Sequence, residues 1–219
     1  MSTLDRIAKS HGTDKSSEIH NYCVKYEKYL PYKRYEKLTI LEIGVLDGKS
    51  LKMWRDYFYK SYIIGLDINP ECKQFEESKI EIEIGSQVDE NVLRNVCDKY
   101  GWFDLIVDDG SHMNEHVTFT FEKLFPRIKP GGVYVVEDCG TAYWDEYGGG
   151  YLNQSSSVEY FKRLSDDVNF RGLMNFDYHN VHARKEDVLK DLSERIQPQI
   201  RTDIESINFL NGIIIITKR

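Results

Sequence analysis

The run LTILEIGVLDGKSLKMWRDYFYKSYIIGLDI, residues 38–68, decides the fold. Its ends, LTILEIG (38–44) and YIIGLDI (62–68), are short and β-rich, and between them KSLKMWRDYFYK (49–60) mixes polar and apolar residues over a length suited to a crossover helix. A strand, a helix and a strand in that order make a parallel pair with the helix on one face. Three more strand-like runs follow: KIEIEIG (79–85), FDLIVDDG (103–110) and GVYVVED (132–138). VDENVLRNVCDKY (88–100) and EHVTFTFEKLFPRI (115–128) supply further helices. This alternation predicts an α/β chain whose mostly parallel sheet is covered on both faces. Near the end, SINFL (206–210) and GIIIITK (212–218) flank Asn211-Gly212, a strong hairpin signal, so the sheet should close with an antiparallel pair.

Two regions stand outside the alternation. Residues 1–37, rich in Tyr, Lys and His, are expected to form an N-terminal cap or lid, and residues 141–180, with Tyr147-Gly148-Gly149-Gly150, a second lid over a substrate. No repeat or Pro/Ser-rich linker divides the 219 residues, so a single domain over 1–219 is expected. The net charge of -7 disfavours a nucleic-acid-binding face. No apolar run reaches the roughly 20 residues of a membrane span, and MSTLDRIAKSHGTDK has no signal-peptide core, so a cytoplasmic chain without membrane partners is expected. Cys23, Cys72, Cys97 and Cys139 lack metal-site spacing and read as free, structural thiols.

The turn after the first strand, Glu42-Ile43-Gly44 to Gly48-Lys49-Ser50, lets a ligand approach the backbone, and Asp67 ends the next strand where a carboxylate can accept from ribose hydroxyls. Each feature alone is equally explained by a tight turn or a cap. Neither phosphate-cradling glycine pattern is present, which points to a nucleoside without a pyrophosphate. Glu42 beside the turn would repel phosphates and attract the ammonium of an amino-acid moiety. Together these residues indicate S-adenosylmethionine. Gln87, after the third strand, could meet the purine edge; the competing reading is a polar loop before a helix capped by Asp89.

Strand four ends in Asp108-Asp109-Gly110-Ser111-His112 and strand five in Glu137-Asp138, so both sets emerge at one sheet edge, where doubly wound sheets bind ligands. With neighbouring strands about 5 Å apart, Asp109, Glu137 and Asp138 can converge on a hard divalent cation, Mg²⁺ first. His112 reaches the same volume and suits a general base. The bland alternatives are that Asp109 caps a helix, that His112 is an exposed turn residue, and that Glu137-Asp138 ends a strand in water.

HGTDKSS (11–17), LEIGVLDGKSLKMWRDYF (41–58), GLDI (65–68), FDLIVDDGSHMNEHV (103–117) and KPGGVYVVEDCGTAYWDEYGGG (129–150) resemble the metal-dependent sugar O-methyltransferases typified by the mycinamicin (macrolide) sugar methyltransferases. The resemblance implies a Rossmann-like class I methyltransferase fold with seven strands in the order 3-2-1-4-5-7-6, S-adenosylmethionine and Mg²⁺. It implies metal carboxylates at Asp109, Glu137 and Asp138, a base at His112, and cofactor contacts at Thr13, Lys15, Glu42, Gly44, Gly48, Asp67, Gln87 and Asp109. Tyr143, Trp144 and Tyr147 would border the acceptor. That acceptor is expected to be a small molecule, a nucleotide-linked sugar or a glycosylated metabolite, with the short N-terminal segment favouring an exposed sugar nucleotide; a homo-oligomer stays open. The competing functions are a cephalosporin-hydroxylase-like oxygenase with a redox metal, for which His112 and His116 lie one helical turn apart, and a non-catalytic S-adenosylmethionine-binding protein.

Overall fold

The computed structural model describes residues 2–169 and 201–219. The expected sheet is present, with seven strands in the order β3-β2-β1-β4-β5-β7-β6. β1 (Thr39–Ile43), β2 (Tyr62–Asp67), β3 (Ile80–Ile84), β4 (Phe103–Asp108) and β5 (Ile128–Val136) run parallel. β6 (Ile204–Leu210) and β7 (Ile213–Lys218) form the hairpin, and β7 pairs antiparallel with β5. The turn between them passes through Gly212 at φ 77°, which a side chain would disfavour.

Strand alternation divides the core in two. Leu41, Ile43, Ile106, Tyr134 and Val136 face α4 (Glu90–Tyr100), α5 (Asn114–Leu124) and α6 (Ser157–Val168), where Leu93, Phe121 and Phe161 pack on them. Ile40, Leu105, Val107, Val133 and Val135 face α1 (Thr3–His11), α2 (Tyr22–Tyr29) and α3 (Lys49–Tyr57), meeting Leu4, Tyr26 and Trp54. Each such side chain, when fully buried, stabilises the fold by about 1.5–3 kcal/mol. The same period of two puts Glu42 of β1, and Asp109 and Glu137 just past the ends of β4 and β5, on the α1–α3 face.

Several boundaries differ from expectation. The fifth strand starts at Ile128, not 132, and α5 ends at Leu124, because Phe125-Pro126-Arg127 forms a 3-10 turn and proline cannot continue an α-helix. The N-terminal segment expected as a cap or lid holds α1 and α2, whose Leu4, Ala8, Tyr22, Cys23 and Tyr26 belong to the core. Ser2 caps α1 through the Asp5 amide (3.1 Å), and the buried Asp5 carboxylate accepts from the Ser17 amide (2.6 Å) and hydroxyl (2.9 Å), folding residues 12–21 back onto the sheet edge. In the second expected lid, residues 139–147 make two 3-10 turns and α6 packs against α5 and β6; its last part, 170–180, lies outside the described residues. Among the described residues no helix is long and apolar enough to cross a membrane. The four cysteines are free and buried.

Candidate active site

At the carboxyl edge of the sheet, Gly44 leaves β1 with φ 90° and donates its amide to the Leu66 carbonyl (2.9 Å). A Cβ there would lie 2.0 Å from the Asp109 carbonyl oxygen, so glycine is required for the β1 and β4 loops to touch. Asp67 closes the turn: its Oδ2 accepts from the amides of Val45 (2.7 Å) and Leu46 (3.2 Å), and its Oδ1 from that of Asn69 (2.8 Å). Burial alone would raise this carboxyl; the three amides outweigh it and hold the pKa below the usual carboxylate range. One Oδ1 lone pair remains for a ligand hydroxyl. Gly48 (φ 71°) opens α3.

In front of the turn lies a cleft of 460 Å³ lined by Thr13, Lys15, Gly44, Asp67, Asp109, His112 and Asp138, among others. A second cavity of 240 Å³ shares Gly44, Asp67 and Gly110 with it and continues past Ile68, Gln87 and His116. A two-lobed space around one carboxylate suits a nucleoside joined to an amino-acid chain.

Asp109 and Glu137 are joined by Glu42 around an ammonium of the chain itself. Lys15, 1% exposed, bonds the Asp109 carboxylate and Glu137 Oε2 (2.6 Å), and lies 3.7 Å from Glu42 Oε1. Glu42 is fully buried, with its oxygens bonded to the Ser50 hydroxyl and the Trp54 indole. The ammonium beside Glu42 is therefore that of Lys15, and the carboxylate lies under α3, away from the cleft wall. Glu137 also sits behind the cleft, bonded to Lys15 and the Tyr26 hydroxyl. Burial opposes the charge on Lys15, but Asp109, Glu137 and Glu42 outweigh it and hold its pKa well above that of an ordinary lysine. Burial pushes both Glu42 and Glu137 upward, against the pull of Lys15.

The groups left facing the cleft are Asp109, His112 and Asp138, whose nearest ligand atoms all lie within 4.8 Å of one another. The two part-exposed carboxylates at that spacing fit a divalent cation, with the imidazole beside them. His112 (φ 59°) and Asp138 (φ 50°) are both left-handed, a conformation that costs a non-glycine residue about 1–3 kcal/mol and gathers at functional sites. Thr141 helps to hold them, its hydroxyl donating to the carbonyls of Asp138 (2.9 Å) and His112 (3.3 Å). His112 Nε2 stands 3.9 Å from Asp138 Oδ2, and the Tyr22 hydroxyl donates to Asp138 Oδ1 (2.6 Å). His20, stacked on Tyr22, is 4.0 Å from the same oxygen.

Tyr22, Tyr26 and His20 were not anticipated from the sequence, because nothing in local spacing ties them to strand ends some 110 residues away. Gln87 lines the second cavity and is also held within the fold. Its Nε2 donates to Thr120 (3.0 Å) and Asp108 (3.2 Å), while its Oε1 accepts from the Ser111 amide (2.7 Å), so it braces the β4 loop. Asp89 caps α4 through the amides of Asn91 and Val92, as the competing reading held. His116 bonds Ser111 (2.8 Å) and lines the second cavity; it does not join His112 in the Asp109–Asp138 group. Tyr143 and Trp144 stand about half exposed outside the cleft lining, with the Trp144 and Tyr147 rings 5.9 Å apart. Their loop is tied down by buried Asn114, which donates to the Tyr147 carbonyl (2.9 Å) and accepts from the Ser157 amide (2.6 Å).

Residues 41–139 match a family model described as a methyltransferase domain. These residues belong to that family. Over 224 aligned residues the chain is 35% identical to 8-demethyl-8-alpha-L-rhamnosyl tetracenomycin-C 2'-O-methyltransferase of Streptomyces olivaceus, covering 99% of this chain and 54% of the relative. It is 37% identical over 153 residues to mycinamicin VI 2''-O-methyltransferase of Micromonospora griseorubida, covering 67% and 38%. The structure superposes with a TM-score of 0.84 and 28% identity on the MycE methyltransferase from the mycinamycin biosynthetic pathway in complex with Mg and SAH, over 99% of this chain and 54% of that one. The chain thus spans about half the length of the relatives it matches most fully. The methyltransferase domain holds the glycine turn, Asp67, Asp109, His112, Glu137 and Asp138, whereas Lys15, Tyr22 and Tyr26 reach its edge from outside the matched segment.

Proposed function

We propose that this chain transfers a methyl group from S-adenosylmethionine to a sugar hydroxyl with the help of a divalent cation, Mg²⁺ in the first instance. The observation that carries this reading is the convergence of Asp109, His112 and Asp138 on the cleft that Gly44 and Asp67 open. S-adenosylmethionine would lie along Gly44 and Asp67, with its base toward the second cavity, and supplies an electrophilic methyl. A cation held by Asp109 and Asp138 would lower the pKa of a sugar hydroxyl and fix its direction. His112 takes that hydroxyl's proton as general base, with Asp138 stabilising the imidazolium. The cleft wall from Gly12 to Lys15 excludes water on one side, and the gain in rate comes mainly from orienting two bound reactants. Tyr143, Trp144 and Tyr147 would border an acceptor that reaches out of the cleft.

Charge narrows the acceptor. Asp14, Asp47, Asp67, Asp109 and Asp138 all line the cleft, while Lys15 is consumed by buried carboxylates and Lys49 pairs with Asp47 (2.6 Å). Such a surface repels a diphosphate. The acceptor is therefore a sugar already joined to an uncharged metabolite, not a nucleotide-linked sugar. The names of the two relatives, both acting on glycosylated natural products, support the same choice. The test is calorimetric titration of S-adenosylmethionine with and without Mg²⁺, followed by measurement of S-adenosylhomocysteine release on rhamnosylated aglycones and nucleotide sugars. Mg²⁺-dependent release on a glycoside alone is the expected result. Release only on nucleotide sugars would overturn the acceptor class, and absence of cofactor binding would overturn the reaction.

A further inference from the structure

We propose that Lys15 is a tethered cation that holds Asp109 and Glu137 and releases Asp109 when a divalent ion binds. The inference rests on the divalent cation of the function proposed above and concerns what this chain does when the ion arrives. Among the described residues Lys15 is the single ammonium beside Glu42, Asp109 and Glu137, and it is as buried as the core. Neutral donors complete the cluster: Tyr26 on Glu137, and Ser50 and Trp54 on Glu42. Without a cation the buried Glu42 and Glu137 and the part-exposed Asp109 beside them would repel one another and lose hydration without return. Lys15 is therefore what lets the strand ends pack in the absence of metal.

Asp109 is where the two roles collide. The carboxylate that bonds Lys15 is also one of the two, with Asp138, that fit a divalent ion beside His112. A doubly charged ion on Asp109 would face an ammonium sharing that one carboxylate, in surroundings that screen charge poorly. The ammonium has somewhere to go, because Lys15 borders the 460 Å³ cleft. Its main chain stays put: the Lys15 carbonyl accepts from the amides of Tyr22 (2.9 Å) and Cys23 (3.1 Å) at the start of α2, and Ser17 is anchored on Asp5. The exchange is a swing of the four-carbon stem, which frees Asp109.

Binding of Mn²⁺, followed by electron paramagnetic resonance, tests this in the wild type and in Lys15→Met, which keeps the length and removes the charge. The variant should bind Mn²⁺ about tenfold or more tightly, the effect of removing one competing charge; unchanged or weaker binding would overturn the exchange. A second measurement needs no variant. Amine-selective acylation of the wild type, read by mass spectrometry, should leave Lys15 protected in chelator and label it once Mn²⁺ is bound. Protection that persists with Mn²⁺ bound would overturn the exchange alone. Failure of the wild type to bind Mn²⁺ at all would remove the exchange and, with it, the cation in the proposed function.

Discussion

Gly44 and His112 show how single backbone conformations set up the cleft. Gly44→Ala must fit a methyl group 2.0 Å from the Asp109 carbonyl at φ 90°. Chemical denaturation should record a loss of about 2 kcal/mol or more, the range for overpacking combined with a left-handed alanine. His112 contributes chemistry instead. Its Nε2 faces Asp138 across 3.9 Å, and its side chain reaches solvent, so His112→Ala should leave stability and cofactor affinity nearly unchanged. Single-turnover rates should fall about 10²–10⁴-fold, the usual weight of a general base; an undiminished rate would assign the proton to another group. Gly44, Asp67 and the carboxylates at the strand ends were all readable from the sequence, since turn chemistry lies in adjacent residues. The direction of Glu42 was not, because its partners Ser50 and Trp54 matter only once α3 has packed on β1.

Between elements, the loop after β5 depends on one side chain of α5. Asn114 ties the Tyr147 carbonyl and the Ser157 amide to the helix start, so Asn114→Ala leaves a buried amide and a part-buried carbonyl unmatched. A destabilisation of about 2 kcal/mol is expected, together with faster amide exchange at Gly149 and Gly150 than in the wild type. At the sheet edge, hydrogen bonds from Tyr62, Tyr100 and Lys99 hold the Glu81 carboxyl of β3 at about 2, against an ordinary value of 4.5. A lowered carboxyl stabilises the fold fully above about pH 4.5, and the contribution fades as pH falls toward 2. Glu81 is partly exposed, so solvent screening limits its worth to under about 1 kcal/mol. Glu81→Gln should lower the melting temperature slightly at pH 7, and the difference should close in acid; a gap that persists at pH 2 would count against this ion cluster.

Across the whole molecule, the site joins segments that are far apart in the chain. Lys15 and Glu137 are separated by 122 positions, and the Tyr22 hydroxyl bridges Asp138 and the Gly212 carbonyl of the β6–β7 turn (3.0 Å). A ligand that binds here touches the segment between α1 and α2 and the ends of the parallel strands together, so it should stabilise the whole fold against unfolding. At a concentration one hundred times its dissociation constant, S-adenosylmethionine should add about 2.7 kcal/mol, visible as a rise in melting temperature. The part of that rise owed to a divalent ion should vanish with chelator. A ligand-independent melting temperature would argue that binding is confined to a locally ordered loop.

The sequence by itself determined the strand and helix alternation, the terminal hairpin at Asn211-Gly212, and the set of acidic strand ends that share one sheet edge. Those features are written in periods of two and 3.6 residues and in turn residues a few positions apart, where local geometry leaves little choice. Only the tertiary structure decided how the acidic groups are divided. Packing of α1 and α2 beside α3 carries Lys15 and Tyr26 to the face that strand alternation had given to Glu42, Asp109 and Glu137, leaving Asp109, His112 and Asp138 toward the cleft. Asp108, on the opposite face, bonds Tyr134 and Gln87 instead, and burial pushes its carboxyl up to about 7. A charge's partner is set by which helix covers which face, and that choice depends on contacts about one hundred residues apart that no local pattern records.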